Sequence, residues 1–589
     1  MPKKTFVPGK DAALEDTISR TSSLLKSHGF PIKAESWMNP APNCWSVHVR
    51  STECPWISAN GKGSSKQASR ASAQAEFLER LSTNFFFSDF YLGKNTSSAD
   101  FVFFPDEKWF PVGEDHQTPE KHPDGTELLN TALRSFYDPE GELTADLLHD
   151  INSENSNRGI CALPFKNLVS GDTVFFPVNI LHNLYASNGM SAGNTPDESR
   201  SQALAEILER YVKNQVISKG LCLPDVPPKT LDRFPGVRES LQELKDHGFH
   251  IMVKDASLGG KFPVICILLI NPGDSGCYAV FGASCRFEVA LERTVTELLQ
   301  GRSLNQLNGF QHPSHDIEPV ADALNLESHF INSDGLLAWS MFRDKPEYKF
   351  SPWDFSGSTA EEYDLLKKII IDEGFSAYCA EYSYCGMYTC RIIVPGMSEI
   401  YPVSDLLWDN RITGASLRTH LLTLQQMSIK DLREFYSILE DLQFNDDQLI
   451  SESIGVIFEE GTAWHTLRIG ELKALITLAA GHPEEAYTWC GWCINFGHLP
   501  PARDQLLRTV SNLITVKIKG ENPADYRSAL VQFFGAETVS RAEGVLAGKI
   551  TFPGLNFAPS WEEISPLHGK LLDIYKRLNR FKKSADKPV

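Results

Sequence analysis

Two stretches of the sequence carry the same doubly acidic pattern: "AEFLERLSTN" at Ala75–Asn84 and "AEILERYVKN" at Ala205–Asn214. They lie 130 positions apart, and six of the ten positions are identical or nearly so. Both contain Glu-x-x-Glu-Arg. On a helix, Ser72, Glu76, Glu79 and Arg80 fall at roughly 0°, 40°, 340° and 80°, a single polar stripe. Phe77, Leu78 and Leu81 take the opposite face. The second copy sets Gln202, Glu206, Glu209 and Arg210 against Leu204, Ile207, Leu208 and Tyr211. In "ALERTVTELLQGR", Arg293, Glu297 and Gln300 form a third stripe, opposed by Leu291, Val295, Leu298 and Leu299.

A single Glu stripe is ordinarily a solvated face, and Glu–Arg pairs at spacing four contribute little. Duplication shifts the reading, because a solvated face accepts any polar residue. If the stripes converge, carboxylates a few Å apart repel by ~1 kcal/mol per pair in water and by more when dehydrated. Either their pKa values rise or cations neutralise them. Hard oxygen ligands without nearby His or Cys suit Mg²⁺, with nucleotide phosphates completing its shell. The Arg side chains would then grip phosphate. A di-iron bundle would need Glu-x-x-His, and a glycosidase needs one carboxyl pair and no repeated helix.

The elements that must position these helices are strand-rich. "CWSVHV", "VICILLIN", "CYAVFGA", "AYCAEYS" and "CRIIVPG" are short, β-branched or aromatic runs with helical periods between them. This predicts an α+β fold without regular βα alternation, up to about Met427. After about Asp431 the strands give way to helix pairs, turned at "GHP" and "GENP", and one more helix near the end. The expected division is 1–430 for an α+β part and 431–589 for an all-α, tetratricopeptide-like part.

With 589 residues the protein is too long for one core. A net charge of −19 argues against a primary DNA- or RNA-binding role. "MPKKTFVPGK" lacks the apolar region of a secretory leader, and the longest apolar run is too short to span a bilayer. Twelve scattered Cys then suggest reduced thiols and a cytoplasmic protein without a membrane role. Only the end, "KKSADKPV", reads as disordered. Three features read as bland: "NGKGSSK" as a flexible turn, the Cys490/Cys493 pair as packed thiols within a helix, and "HPSHD" as a polar loop.

"SAQAEFLER" (Ser72–Arg80), "SAGNTPDESRSQALAEILER" (Ser191–Arg210) and "ALERTVTELLQ" (Ala290–Gln300) resemble, in order, three motifs of YcaO-domain proteins. "FVPGKDAALEDT" and "ERLSTNFFFSDF" extend the resemblance to a stand-alone branch of that family, over nearly the whole sequence. The resemblance implies an ATP- and Mg²⁺-binding domain of antiparallel sheets and acidic helices that activates an amide with ATP. It implies Mg²⁺ contacts from Glu76, Glu79, Glu198, Glu206 and Glu209. It implies nucleotide contacts from Lys10, Thr17, Ser72, Asn194, Gln202, Arg210, Arg293 and Glu297. It also implies a protein or peptide substrate, support for β-methylthiolation of a small-subunit ribosomal protein with its methylthiotransferase, and a homodimer. The end "KSADKPV" lacks the Pro-rich tail of many azoline-forming members, which speaks against azoline formation. A non-catalytic adaptor, switched by nucleotide and holding partners on its helices, remains the alternative, and only turnover separates the two.

Overall fold

The five β-branched or aromatic runs all fall on strands, and twelve strands are present among the described residues, 4–94, 96, 99–114 and 119–584, of a computed structural model. The first sheet is antiparallel, in the order β1 (Ile32–Ala41), β2 (Cys44–Ser51), β3 (Ser58–Gly63). A second has the order β10 (Gly276–Ala283), β9 (Val264–Asn271), β8 (His250–Asp255). The third has six strands: β4 (Lys108–Phe110), β5 (Ile160–Asn167), β11 (Tyr378–Tyr382), β12 (Tyr388–Ile393) and β7 (Met190–Gly193), with β6 (Thr173–Pro177) pairing β5. All pairings between these strands are antiparallel. The apolar run Val264–Ile270 is β9, buried along nearly its whole length, which explains its lack of alternation.

Six helices build the site or the cores beside it: α1 (Leu14–Ser27), α2 (Lys66–Ser82), α3 (Pro196–Ser218), α4 (Phe287–Leu298), α5 (Thr359–Asp372) and α7 (Pro566–Ser584), while α6 (Pro483–Phe496) packs in a separate helical core. The last strand ends at Ile393, earlier than the Met427 expected, and among the described residues only helices follow. The α+β class and the all-helical region after it are borne out. Helices Ile469–Ala479 and α6 flank the "GHP" turn, and Pro501–Ile518 and Pro523–Phe534 flank "GENP". Cys490 and Cys493 sit on α6, both buried, and burial pushes the Cys490 thiol up to about 12. None of the twelve cysteines is in a disulfide. No helix of the described residues is long and apolar enough to cross a membrane. Most of the "KKSADKPV" end lies outside the described residues.

The final helix returns to the start of the protein. Leu571, Leu572, Tyr575 and Leu578 of α7 share a core with Phe30, Phe87 and Phe104. The Tyr575 hydroxyl donates to the Val102 carbonyl at 2.7 Å. Lys582, only 1% exposed, donates to Asn84 Oδ1 at 2.5 Å and the Phe103 carbonyl at 2.8 Å. Its ammonium also lies 4.3 Å from the centre of the Phe104 ring. Burial pushes the Lys582 pKa down to about 7. Between about pH 7 and 10 the unfolded protein holds this proton and the folded protein does not, so stability rises with pH there. Denaturant unfolding at stepped pH should therefore show wild type gaining up to ~1.4 kcal/mol per pH unit relative to Lys582→Met above pH 7. Parallel curves for the two proteins would refute the assignment.

Candidate functional site: three strand–helix units

Each acidic helix follows directly on a strand, giving three units: β3–α2, β7–α3 and β10–α4. The first two begin alike. Ser65 caps α2 by accepting from the Ala68 amide at 3.1 Å, and Thr195, 130 residues on, caps α3 through the Glu198 amide at 3.2 Å. The first and third share a close approach at an offset of 221. A Cβ on Gly61 would lie 2.1 Å from the Ser69 carbonyl oxygen, and one on Gly282 would lie 2.9 Å from that of Ala290. In both, only glycine lets the helix backbone rest on its own strand.

The units are also linked in a ring. Besides its own strand, α2 touches β7, α3 touches β10 and α4 touches β3. The polar stripes meet around Lys62. Its ammonium, on β3 between Gly61 and Gly63, pairs with Glu297 of α4 and feels the carboxylates of Glu209, Glu76 and Glu206. Asn60–Gly63 is thus strand and not the flexible turn expected from "NGKGSSK", because Ser58–Gly63 pairs fully with β2. Lys62 stands between two glycines that α2 covers.

Glu76 and Glu79 lie 3.4 and 3.6 Å from Arg80, and Glu206 lies 3.0 Å from Arg210. The Lys62 amide donates to Ser72 Oγ at 3.5 Å. Gln202 Oε1 accepts from Arg293, whose other nitrogen donates to the Ala283 carbonyl at 3.0 Å. The Ala283 amide donates to Glu209 at 3.1 Å. Gln300 lies past the end of α4 at Leu298, so the third stripe reduces to Arg293 and Glu297.

The N-terminal turns of α3 carry the strip onward. Lys10 Nζ is 3.2 Å from Glu198, and the Asp11 amide donates to the same carboxylate at 3.0 Å. Asn194 donates to both Glu198 oxygens, at 3.2 and 3.1 Å, and Thr17 donates to Asn194 Oδ1 at 3.2 Å. All thirteen sequence-predicted residues therefore lie along one strip centred on α3. Lys62, Asp11 and Lys213 belong beside it and were missed. Lys213 had a signal, standing four residues after Glu209 and continuing the polar stripe of α3.

Burial raises the pKa of Glu76, Glu79 and Glu209. Arg80 opposes the shift at Glu76 and Glu79, and Lys62 and Lys213 oppose it at Glu209. Glu79 stands well above the usual carboxylate range, with Glu76 and Glu206 adding repulsion. Glu76 keeps 30% of its side-chain surface and Glu79 14%, so this is a crowded cleft and not a sealed core. Burial lowers the pKa of Lys62 and takes that of Lys213 to about 8.

Among the described residues no three His, Cys, Asp or Glu side chains stand as a ready metal cage. The acids are instead occupied by Lys10, Lys62, Arg80, Arg210 or a backbone amide. Yet Arg80 Nε, Arg210 Nη1 and Arg286 Nε are buried without a hydrogen-bond partner. Their carboxylate neighbours Glu79 and Glu362 sit at 3.6 Å, too far for a hydrogen bond, and Glu206 at 3.0 Å without the alignment of one. Orphaned guanidinium donors in a cleft where Glu76 and Glu79 beside Arg80 have raised pKa values fit a ligand that brings both a hard cation and an anion, as a metal–phosphate group does.

The family model that matches the site points the same way. A family model for the YcaO cyclodehydratase, ATP- and Mg²⁺-binding, matches residues 60–398, and one for the YcaO cyclodehydratase C-terminal domain matches 414–584. The protein is 45% identical over 584 residues to the ribosomal protein S12 methylthiotransferase accessory factor YcaO of Escherichia coli K12, covering 98% of its own length and 99% of that relative. It is 43% identical over 591 residues to an uncharacterized protein of Haemophilus influenzae Rd, covering 99% of each. A solved YcaO from Methanopyrus kandleri, bound with AMPPCP and Mg²⁺, aligns with a TM-score of 0.41 at 16% identity, over 70% of this protein and 96% of that one.

Proposed function

The protein belongs to the YcaO family, which binds ATP and Mg²⁺, and on that premise we propose that it activates a backbone amide of a protein substrate in support of β-methylthiolation of ribosomal protein S12. Glu76, Glu79, Glu198, Glu206 and Glu209 are assigned to Mg²⁺. Lys10, Thr17, Ser72, Asn194, Gln202, Arg210, Arg293 and Glu297 are assigned to the nucleotide. Bound MgATP supplies a phosphoryl group that can turn an amide oxygen into a leaving group.

One observation carries this reading: the Arg80 Nε is buried without a partner beside Glu76 and Glu79, whose pKa values are raised. In the ligand-free arrangement the acids and bases neutralise one another. A cation arriving on the acids frees Arg80, Arg210 and Lys10 to hold phosphate oxygens. The same groups that stabilise the empty cleft thus become its ligand contacts, and little covalent chemistry is asked of them. The relative named for S12 methylthiolation is matched along its whole length, helical region included, which favours a shared substrate class.

The test is turnover. The full-length protein with MgATP should release phosphate or pyrophosphate slowly alone and at least ~10-fold faster with S12 and its methylthiotransferase, a gain of about 1.4 kcal/mol in barrier. Tight nucleotide binding with no stimulation by either protein would refute the reading and leave the adaptor role.

A further inference from the structure

Behind the first turns of α3 the six-stranded sheet splits. β5 pairs with β4 over Ile160–Ala162, but with β11 only at Lys166 and Asn167. The Leu168 amide donates to the Ala377 carbonyl at 2.8 Å, so Ala377, Cys379 and Glu381 turn their backbone groups toward β5. Continued in register, Glu381 would face Pro164, which has no N–H to give. The ladder stops at Cys379. Glu381 is left with an N–H and a C=O aimed into the gap, while the other edge of β11 is taken by β12.

The gap is a cavity of about 480 Å³, lined by Leu163 and Pro164 of β5, Glu381 and Tyr382 of β11, Thr389 of β12 and Arg200 of α3. Arg200 lies roughly 200° around α3 from Glu198, so the cavity backs onto the acidic strip without overlapping it. The two share a wall. Cys390 lines the cavity, accepts from Ser199 at 3.2 Å and is near enough to Glu79 to influence it. Thr389 is 2% exposed, and its hydroxyl has no hydrogen-bond partner among the described residues. The Phe104 and Tyr382 rings, which also line the cavity, stack with centres 4.5 Å apart.

We propose that this cavity takes an extended polypeptide segment, which completes the interrupted ladder beside Glu381 as a short strand. The proposal rests on the amide-activation reading, for which the segment belongs to the substrate. An extended segment offers a backbone C=O and N–H at the spacing Glu381 requires. One alternate side chain reaches the stacked rings, and a further polar group meets the Thr389 hydroxyl. The segment then runs alongside the wall that separates it from Glu79.

Tyr388 stands on the rim, 43% exposed, and can carry benzoylphenylalanine without disturbing a buried group. The full-length protein with this residue is irradiated with fluorescein-labelled short peptides: overlapping segments of S12, and scrambled peptides of the same composition. S12 segments are expected to crosslink at Tyr388 and not at Tyr487, similarly exposed at 46% on the distant helices. Thr389→Val is expected to weaken binding of the crosslinking peptide about fivefold in fluorescence anisotropy, with an unchanged melting curve. Equal crosslinking of both sets keeps the groove and overturns the S12 reading. Crosslinking of neither set, or equal yield at Tyr487, overturns the groove.

Discussion

Replacing Glu79 with alanine is expected to lower MgATP affinity at least ~100-fold, about 2.7 kcal/mol, without lowering the melting temperature of the ligand-free protein. The two effects have one cause. Glu79 is crowded by Glu76 and Glu206 and is short of solvent, and its pKa is raised accordingly. Without a cation, that carboxyl is a burden: it must stay protonated or repel its neighbours. Removing it relieves the cleft, and Arg80 keeps Glu76 at 3.4 Å. With MgATP present the loss is a ligand oxygen in a place where the metal has few substitutes. Calorimetry gives the affinity and differential scanning the stability. Wild-type affinity would remove Glu79 from the metal site, and a large fall in melting temperature would make it a structural residue.

Gly61→Ala is expected to destabilise the protein by about 3 kcal/mol or more, the upper end of overpacking costs. The new methyl would sit 2.1 Å from the Ser69 carbonyl oxygen and 2.4 Å from the Ala73 nitrogen, both backbone atoms of α2. Backbone atoms have no rotamer by which to turn aside, so α2 must lift from β3 as a body. Lifting it moves Glu76 and Glu79 away from Lys62, and MgATP affinity should fall together with stability. Gly491→Ala is the control. It lies within α6 with no atom near its would-be Cβ, and there alanine should stabilise by ~0.5–1 kcal/mol. Chemical denaturation of both variants decides the matter. A Gly61→Ala protein as stable as wild type would mean that strand and helix are not in the contact described.

The sequence displayed the acidic helices well because a helix writes its faces at a fixed spacing. Glu76, Glu79, Glu206 and Glu209 could be placed on one side from residue order alone. Ser65 and Thr195 cap at the same offset as the acids, so the repeat extends below the helices into the turns. Lys62 stayed hidden for a physical reason. Its strand, "SANGKG", has no apolar alternation, since glycines replace side chains where the helix rests directly on backbone. Gln300 was overread because nothing in "ELLQGR" but the glycine marks the end of α4. The split between β5 and β11 was legible only after the register was known, because Pro164 means nothing until Glu381 stands opposite it. Which elements share a core was least legible: no local pattern in "LHGKLLDIYKRLN" says that its apolar face belongs with Phe30.

That last placement governs the order in which the protein can be finished. Tyr575 bonds to Val102 across 473 positions. At ~5–20 residues per second of synthesis, roughly 25–95 s separate the emergence of the two partners. Throughout that interval Phe30, Phe87 and Phe104 have no α7 to cover them, and the nascent polypeptide must be shielded from its neighbours. A stop codon shortly before Pro566 would leave every residue of the acidic strip along α3 in the product. Such a product would still fail, because the piece it lacks belongs to the core that begins near residue 25.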